Sequence, residues 1–418
     1  MDRHAFKGTW AWVLSAGVLL MPGVLCGQEA LQNAVQGDKT YRQRIAPRRN
    51  ADQYHKIGAI DYFTTVSYGV EWRDNVLSSE TAPQSDFIHR PRVDLHAVWN
   101  ATRTSRLNFG FGAGYTKYTR LRGQDRFNIA PNSELAWDVP AKDFLFTFYD
   151  RFSYTEEVTS QGAITGVAAF PRMDNTVGLR VTWNPSRWVV QTGYGHQNFL
   201  SSSALFSYLN RSTENFFQRV AYKLAPQTLV GLEATESITA HTQPIQNDNN
   251  SLSTGPYVSW QLTRALALNL RGGYVRYAFD SLPGQGPVEG FSSYYFGAEV
   301  EHDLTDTVRQ SLSADRRVQQ GQNRGGQYIQ TTEVRYDVTW RFNRHGRLIG
   351  DAIFEDGLEP QLGRVEEYIR WGGGIGLNYE LVKHFAPTLR YAYTQRDSNL
   401  TGRSYTANTV SLSLTYRF

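Results

Sequence analysis

Thr409-Val410-Ser411-Leu412-Ser413-Leu414-Thr415-Tyr416-Arg417-Phe418, preceded by Asn408, closes the chain and alternates between polar and apolar side chains at every step. Successive side chains of a β-strand point to opposite sides, so the even-numbered residues form an apolar face and the odd-numbered residues a polar face. The stretch therefore predicts an amphipathic β-strand that runs to a terminal aromatic residue.

An amphipathic last strand that ends on an aromatic residue resembles the signal read by the machinery that inserts β-barrels into the outer membrane. Tyr416 and Phe418 would supply the aromatic part of this C-terminal insertion signal. A strand of a soluble sheet can alternate in the same way, so the interpretation depends on the rest of the chain.

The first residues have the composition of a secretory signal peptide. A basic start at Arg3 and Lys7 is followed by an apolar stretch over residues 10–25 and by small residues near Cys26-Gly27. The apolar stretch is short for a membrane-spanning helix, which needs about 20 residues. We therefore expect residues 1–27 to be a cleaved signal peptide, and the chain's single cysteine to be removed with it.

Alternating apolar positions recur from residue 60 to the end of the chain, and they predict eighteen strands, with sixteen or twenty as alternatives. Short turns alternate with longer polar loops between these strands, as in outer-membrane barrels. The predicted fold is all-β: a transmembrane, antiparallel, up-and-down β-barrel over residues 60–418. An even number of strands would place both termini in the periplasm of a Gram-negative bacterium.

Tryptophan residues cluster near the predicted short turns, as expected for an aromatic girdle at the periplasmic membrane interface. The predicted girdle consists of Trp99, Trp137, Trp183, Trp188, Trp260 and Trp340.

Charged residues fall in the opposite phase to the apolar stripe, because a basic side chain facing the middle of the bilayer would cost about 2–4 kcal/mol. They could form a lattice of ion pairs between strands, or they could create an electric field across the lumen that selects among the solutes passing through. With a net charge of +4 and 36 arginines among 43 basic residues, such a wall would favour anions. The candidate lumen wall comprises Arg92, Asp94, Glu134, Asp138, Arg180, Arg271, Glu299, Glu301, Asp303, Glu333, Arg335, Asp337, Arg341, Arg370, Glu380 and Arg390.

Two further segments carry hypotheses of their own. The third outer loop contains a weakly polar run with Ile164, Val167 and Phe170, which could fold into the lumen as a constriction or could extend a hairpin above the membrane. Residues 28–59 form a short basic periplasmic extension, which is either a disordered, solvated tail or a docking segment for an acidic partner or lipid phosphates.

Signatures of catalysis are missing from the sequence. It has no Gly-x-Ser-x-Gly elbow, no metal-spaced histidine pair, and no cysteine outside the predicted signal peptide. Glycine runs such as Gly372, Gly374 and Gly376 have the period of a strand, so they do not indicate a phosphate-binding loop. We therefore predict no enzymatic activity, no cofactor, no metal and no nucleic-acid partner.

Two stretches resemble the putative β-barrel porin family of Gram-negative outer membranes. They are Tyr68-Gly69-Val70-Glu71-Trp72-Arg73-Asp74-Asn75-Val76 with Pro91-Arg92-Val93-Asp94-Leu95, and the hairpin from Leu268-Asn269-Leu270 to Tyr274 and Tyr277. Members of that family are often encoded beside exopolysaccharide and exosortase gene clusters. The resemblance implies a barrel that serves polysaccharide export or surface glycan assembly.

The expected function is an outer-membrane conduit for polysaccharide, with two alternatives. One alternative is a general or anion-leaning diffusion porin for small solutes, and the other is a non-conducting structural or adhesive barrel. The expected partners are outer-membrane lipid and lipopolysaccharide, the barrel-insertion machinery and, for an export barrel, periplasmic polysaccharide-export proteins.

Overall fold

The computed structural model describes residues 55–418 except for 103, 156–169, 285 and 362. The predicted signal peptide, nearly all of the predicted extension, and two of the predicted constriction residues, Ile164 and Val167, lie outside these residues.

The stretches of alternating polar and apolar residues form nineteen β-strands in the part of the chain that the structure describes. Their bounds are β1 His55–Ile57, β2 Ile60–Arg73, β3 Asp86–Trp99, β4 Arg106–Tyr118, β5 Arg126–Ala141, β6 Phe144–Thr155, β7 Arg172–Trp183, β8 Trp188–Ser201, β9 Arg211–Ala225, β10 Thr228–His241, β11 Asn249–Gln261, β12 Leu266–Phe279, β13 Phe291–Asp303, β14 Val308–Gln320, β15 Tyr328–Trp340, β16 Gly346–Gln361, β17 Arg364–Tyr379, β18 Phe385–Ser398 and β19 Tyr405–Arg417. Two short 3-10 helices, Arg122–Gln124 and Ala204–Leu209, lie between strands.

The C-terminal strand closes the sheet into a barrel. β19 pairs antiparallel with β2, with Leu412 opposite Val70, and every other neighbouring pair along the chain is also antiparallel. Strands β2–β19 therefore form a closed eighteen-stranded barrel, which confirms the predicted fold class and strand number. β1 is an added three-residue strand that pairs with β2 after a turn at Gly58, and it lies within the range predicted as an extension.

The two ends of the barrel differ in the length of their connections. At one end, here called the turn end, strands are joined by two to six residues, and β19 finishes there. The opposite end, here called the loop end, carries most of the longer connections. Five tryptophans near the turn end, Trp99, Trp137, Trp188, Trp260 and Trp340, have outward side chains that are more than two-fifths exposed. Trp183 is half-buried beside Phe144.

Register separates the two faces of the wall. Leu412 lies opposite Val70 on one side and Leu389 on the other, in a band of exposed apolar side chains. Residues of the opposite phase contact one another across strands that are not neighbours. Tyr295 on β13, for example, donates to Glu233 on β10 over 3.3 Å. Such contacts require a concave surface, so this polar phase faces the lumen.

Strand β16 is longer than the sequence predicts, and β17 begins two residues earlier, because the alternation indicates strands only over residues 347–356 and 366–381. In the structure the pairing continues to Gln361 opposite Arg364 and leaves a connection of two residues. The extension places Glu359 directly opposite Glu366, and like charges in that position normally destabilise a sheet.

No helix in the described part of the chain is both long enough and apolar enough to cross a membrane.

The two faces of β19 predict opposite tolerance to charge. We expect Leu412→Arg to lower the free energy of unfolding by about 2–4 kcal/mol, because Leu412 is in the outward apolar band. Ser413→Arg is the matched control. Ser413 is adjacent to Leu412 but faces the lumen opposite Gly69, so this substitution should cost much less. Urea unfolding of the barrel in lipid vesicles measures both; equal losses would contradict this assignment of faces.

Candidate functional site

The inner face of the barrel carries most of the charged residues predicted for the lumen wall. The register places all of them in the inward phase of their strands except Arg341 and Glu380, which lie just beyond the ends of β15 and β17 at the turn end. Arg341 there donates to the backbone carbonyl of Asp306 over 2.7 Å.

Ion pairs on this inner face link neighbouring strands or reach across one intervening strand. Arg390 and Asp351 lie 2.6 Å apart, Arg370 and Glu355 2.7 Å, and Arg219 and Glu233 2.9 Å. Arg271 lies 3.4 Å from Asp315, and Arg317 3.1 Å from Glu333. The acids Glu299, Asp315, Glu333, Asp337, Asp351 and Glu355 are concentrated on β13–β16. One arc of the wall is therefore rich in carboxylates, most of them with arginine partners.

The barrel wall divides at the loop end between β13 and β14. These strands pair only from Asp303–Arg309 to Phe296–Arg316. Beyond that point β13 remains paired with β12 as far as Phe291, and β14 remains paired with β15 as far as Gln320. The loop-end halves of β13 and β14 therefore follow different paths.

The loop-end half of the β14–β15 hairpin lies inside the barrel. Val318 has the outward phase of β14, but it is fully buried against the inward side chains of Val275, Tyr277 and Tyr295. The Tyr277 hydroxyl donates to the Val318 carbonyl over 3.2 Å. Gln320, also in the outward phase, exchanges two side-chain hydrogen bonds of 2.8 and 2.9 Å with inward-facing Asn249 on β11. The face of the hairpin that continues the outward phase of β14 is thus packed on the inner wall of β10–β13.

The tip of this hairpin, residues 321–327, contacts two loops on one side of the barrel. Tyr208, in the β8–β9 loop, donates a hydrogen bond to the Gln322 carbonyl over 3.0 Å. Burial raises the pKa of Tyr208 to about 12, which favours the protonated hydroxyl that this bond requires. Gln246, in the β10–β11 loop, donates to the Asn323 carbonyl and accepts from the Gly325 amide, each over 2.9 Å.

The other side of the tip is held by two buried carboxylates. The backbone amides of Gln322 and Asn323 donate to Glu359 Oε1 over 2.7 and 2.8 Å. The Asn323 side chain donates to Glu359 Oε2 and, over 3.2 Å, to Glu366 Oε2. Gly326 packs so closely that a Cβ there would lie 2.4 Å from Glu359 Oε1.

Arginines compensate the charge of Glu366. Arg403, in the β18–β19 loop, lies 2.6 Å from both Glu366 Oε2 and Asn323 Oδ1. Arg396, fully buried, lies 3.0 Å from Glu366 Oε1 and stacks over the Tyr368 ring at 3.9 Å. We call Asn323, Glu359, Glu366, Arg396 and Arg403 the latch. It explains how Glu359 and Glu366 tolerate direct opposition.

The hairpin narrows the lumen at the loop end. The β8–β9 loop and the β18–β19 loop, both contacted by the tip, lie on nearly opposite sides of the eighteen-stranded ring. A ring of this size is otherwise wide enough for an aqueous channel. Within the described residues, the β14–β15 hairpin therefore constricts the lumen at this end, at a position that the sequence did not indicate.

On the far wall, β2–β5 form a recess of about 370 Å³ that is lined by four arginines. They are Arg73, Arg90, Arg92 and Arg126, and Glu71 is the one carboxylate among the described lining side chains. Of these residues the sequence prediction included only Arg92. Gly112 on β4 lets Asp94, the ion-pair partner of Arg92, lie against the strand, since a Cβ at Gly112 would lie 2.4 Å from Asp94 Oδ1.

Only Phe170 of the predicted third-loop constriction is described. It is buried at the loop end and stacks on Phe206 at 4.6 Å, in a cluster with Phe199 and Leu209. Because Phe199 is inward-facing, Phe170 covers part of the inner wall near β7–β9.

Within the described residues, no group of three or more His, Cys, Asp or Glu side chains is arranged to hold a metal ion.

Comparison with known proteins places the chain among barrel proteins. Residues 56–418 match the family model described as Putative beta-barrel porin 2. None of the curated protein sequences matches the chain.

Crystal structures of barrels from Pseudomonas aeruginosa are similar in fold. OccK2 (OpdF) has a TM-score of 0.50 at 9% identity, over 87% of this chain and 99% of that chain. OpdQ has a TM-score of 0.50 at 10% identity, over 87% of this chain and 100% of that chain. OccK2 (OpdF) in complex with glucuronate has a TM-score of 0.50 at 11% identity, over 86% and 98%.

Proposed function

Because the chain belongs to the Putative beta-barrel porin 2 family and is an outer-membrane porin, we propose that it is a diffusion channel for small hydrophilic solutes with a preference for anions. This alternative fits the family and the geometry better than polysaccharide export, which was expected first from the sequence and which no finding supports.

The observation that carries the proposal is the β14–β15 hairpin inside the lumen. An export conduit for a polymer needs an uninterrupted wide tunnel, whereas here a hairpin tip is bonded to opposite sides of the loop end. Small solutes pass beside such an element, and porins commonly select solutes by a constriction and by its charge.

Preference for anions is supported by the arginine-lined recess on the inner wall. Arg73, Arg90 and Arg126 line this recess near the loop end. Fixed positive charge on a channel wall raises the local concentration of anions and lowers that of cations.

Permeation measurements test this proposal. We expect the refolded protein in liposomes to admit mono- and disaccharides and to exclude long oligosaccharides. In a planar bilayer with a KCl gradient, the reversal potential should show chloride permeating faster than potassium. Rapid entry of long oligosaccharides into the liposomes would instead favour the export interpretation. If the protein admitted no sugar and carried no ionic current, a non-conducting barrel would be favoured.

A further inference from the structure

The arginine-lined recess on β2–β5 has the geometry of a binding site, in addition to its effect on wall charge. Its volume of about 370 Å³ lies within the range of small-molecule sites, which are concave and carry a few convergent polar groups. Around the arginines it presents further polar side chains, including Thr116, Tyr118 and Asn128.

Glu71 holds two of the arginines in place. It lies 3.0 Å from Arg73 Nη2 and 3.7 Å from Arg90 Nε, and its side chain is only 15% exposed. Arg90 also lies 3.5 Å from the Thr116 hydroxyl, which in turn accepts from the Asn128 amide over 3.2 Å. The guanidinium groups are therefore positioned before any ligand arrives, which lowers the entropy cost of binding.

Arg92 and Arg126 complete the recess from the neighbouring strands. Arg92 is directed along the wall by Asp94, at 2.8 Å from Nε to Oδ2. Arg126 is anchored at its Nη2, which donates to Gln124 over 2.9 Å at the edge of the loop end.

We propose that this recess is a binding subsite for small anions that carry carboxylate or phosphate groups, with dianions held more tightly than monoanions. A guanidinium group forms paired hydrogen bonds with either group, and two or more guanidinium groups can engage the two charges of a dianion together. This inference rests on the proposed function, because a solute must enter the lumen to reach the recess.

Calorimetric titration of the refolded protein in detergent micelles tests the subsite without requiring conduction. The probes are succinate and inorganic phosphate as dianions, acetate as a monoanion and glucose as a neutral solute. We expect succinate and phosphate to bind more tightly than acetate, and glucose to give no heat. Preference for succinate over phosphate, or the reverse, identifies which anionic group the subsite favours. Equal binding of succinate and acetate would overturn the proposal.

Variants locate the binding. Arg90→Gln and, separately, Arg126→Gln should weaken dianion binding about tenfold or more, because each removes charge-assisted hydrogen bonds. Arg335→Gln is the matched control, since this inner-wall arginine lies 3.7 Å from Glu333 on β15, outside the recess. It should bind dianions as the parent does; equal weakening in all three variants, or none in the first two, would contradict the assignment.

Sugar permeation in liposomes separates the two proposals. The recess variants should still admit monosaccharides, because they do not alter the hairpin. Dianion binding without any permeation would refute the diffusion channel and leave the subsite intact. Permeation without dianion binding would refute the subsite alone.

Discussion

Removal of the inner part of the β14–β15 hairpin is expected to widen the channel. Residues 319–329 can be deleted and replaced by Asn-Gly, because Val318 and Gln330 are paired and a two-residue turn of this kind closes an antiparallel hairpin. We expect single-channel conductance to rise at least about twofold, since an element that narrows the lumen limits ion flow. The size limit for sugars should rise as well.

The matched control shortens a different loop at the same end. Deletion of residues 282–286 affects the β12–β13 connection, where Pro283, Gly284 and Gly286 are exposed, and it leaves Val288 in its packed position. Its conductance should equal that of the parent. If the hairpin deletion also conducts like the parent, then β14–β15 is not the constriction.

Alternation of side chains was sufficient to predict the barrel. Successive side chains of a strand point alternately to the lipid and to the lumen. The number of strands and the residues that face the lumen can therefore be inferred from the local sequence. The C-terminal strand illustrates this, since Leu412 and Ser413 occupy the faces that their phase indicates.

The inward hairpin could not be predicted in the same way, because phase defines two faces but not which surface each face contacts. In β14 the outward phase contains Leu312 and Ala314, and then Arg316, Val318 and Gln320. The polar residues at the end of this series are the available signal, since lipid would not favour them. They do not reveal that Gln320 pairs with Asn249, three strands away.

The latch was missed because it joins residues that are distant in sequence. Asn323, Glu359 and Arg403 come from different connections and strands, and none has a neighbour in the sequence that indicates its partner. In a single sequence, Glu359 belongs to a polar stretch that suggests a loop, which is why β16 was predicted to end at residue 356 rather than at Gln361.

Loss of the Glu366 carboxylate is expected to destabilise the barrel strongly. Glu366 and Arg396 are both fully buried, and the carboxylate also accepts from Ser398 over 3.0 Å and from Arg403 over 2.6 Å. Removing one partner of a buried ion pair typically costs about 3–5 kcal/mol, because the remaining charge loses its compensation. We therefore expect Glu366→Ala to lower the free energy of unfolding by about that amount.

An exposed ion pair provides the control for this loss. Arg309 and Asp303 lie 2.5 Å apart near the turn end with side chains that are 70% and 42% exposed, so Asp303→Ala should cost less than about 1 kcal/mol. Urea unfolding in lipid vesicles measures both variants. Glu366→Gln keeps one accepting oxygen without the charge, so its loss of stability should fall between those of Glu366→Ala and the parent. If Glu366→Ala cost no more than Asp303→Ala, the latch would contribute little to stability, and the hairpin would be held mainly by packing of Val318 on Tyr277 and Tyr295.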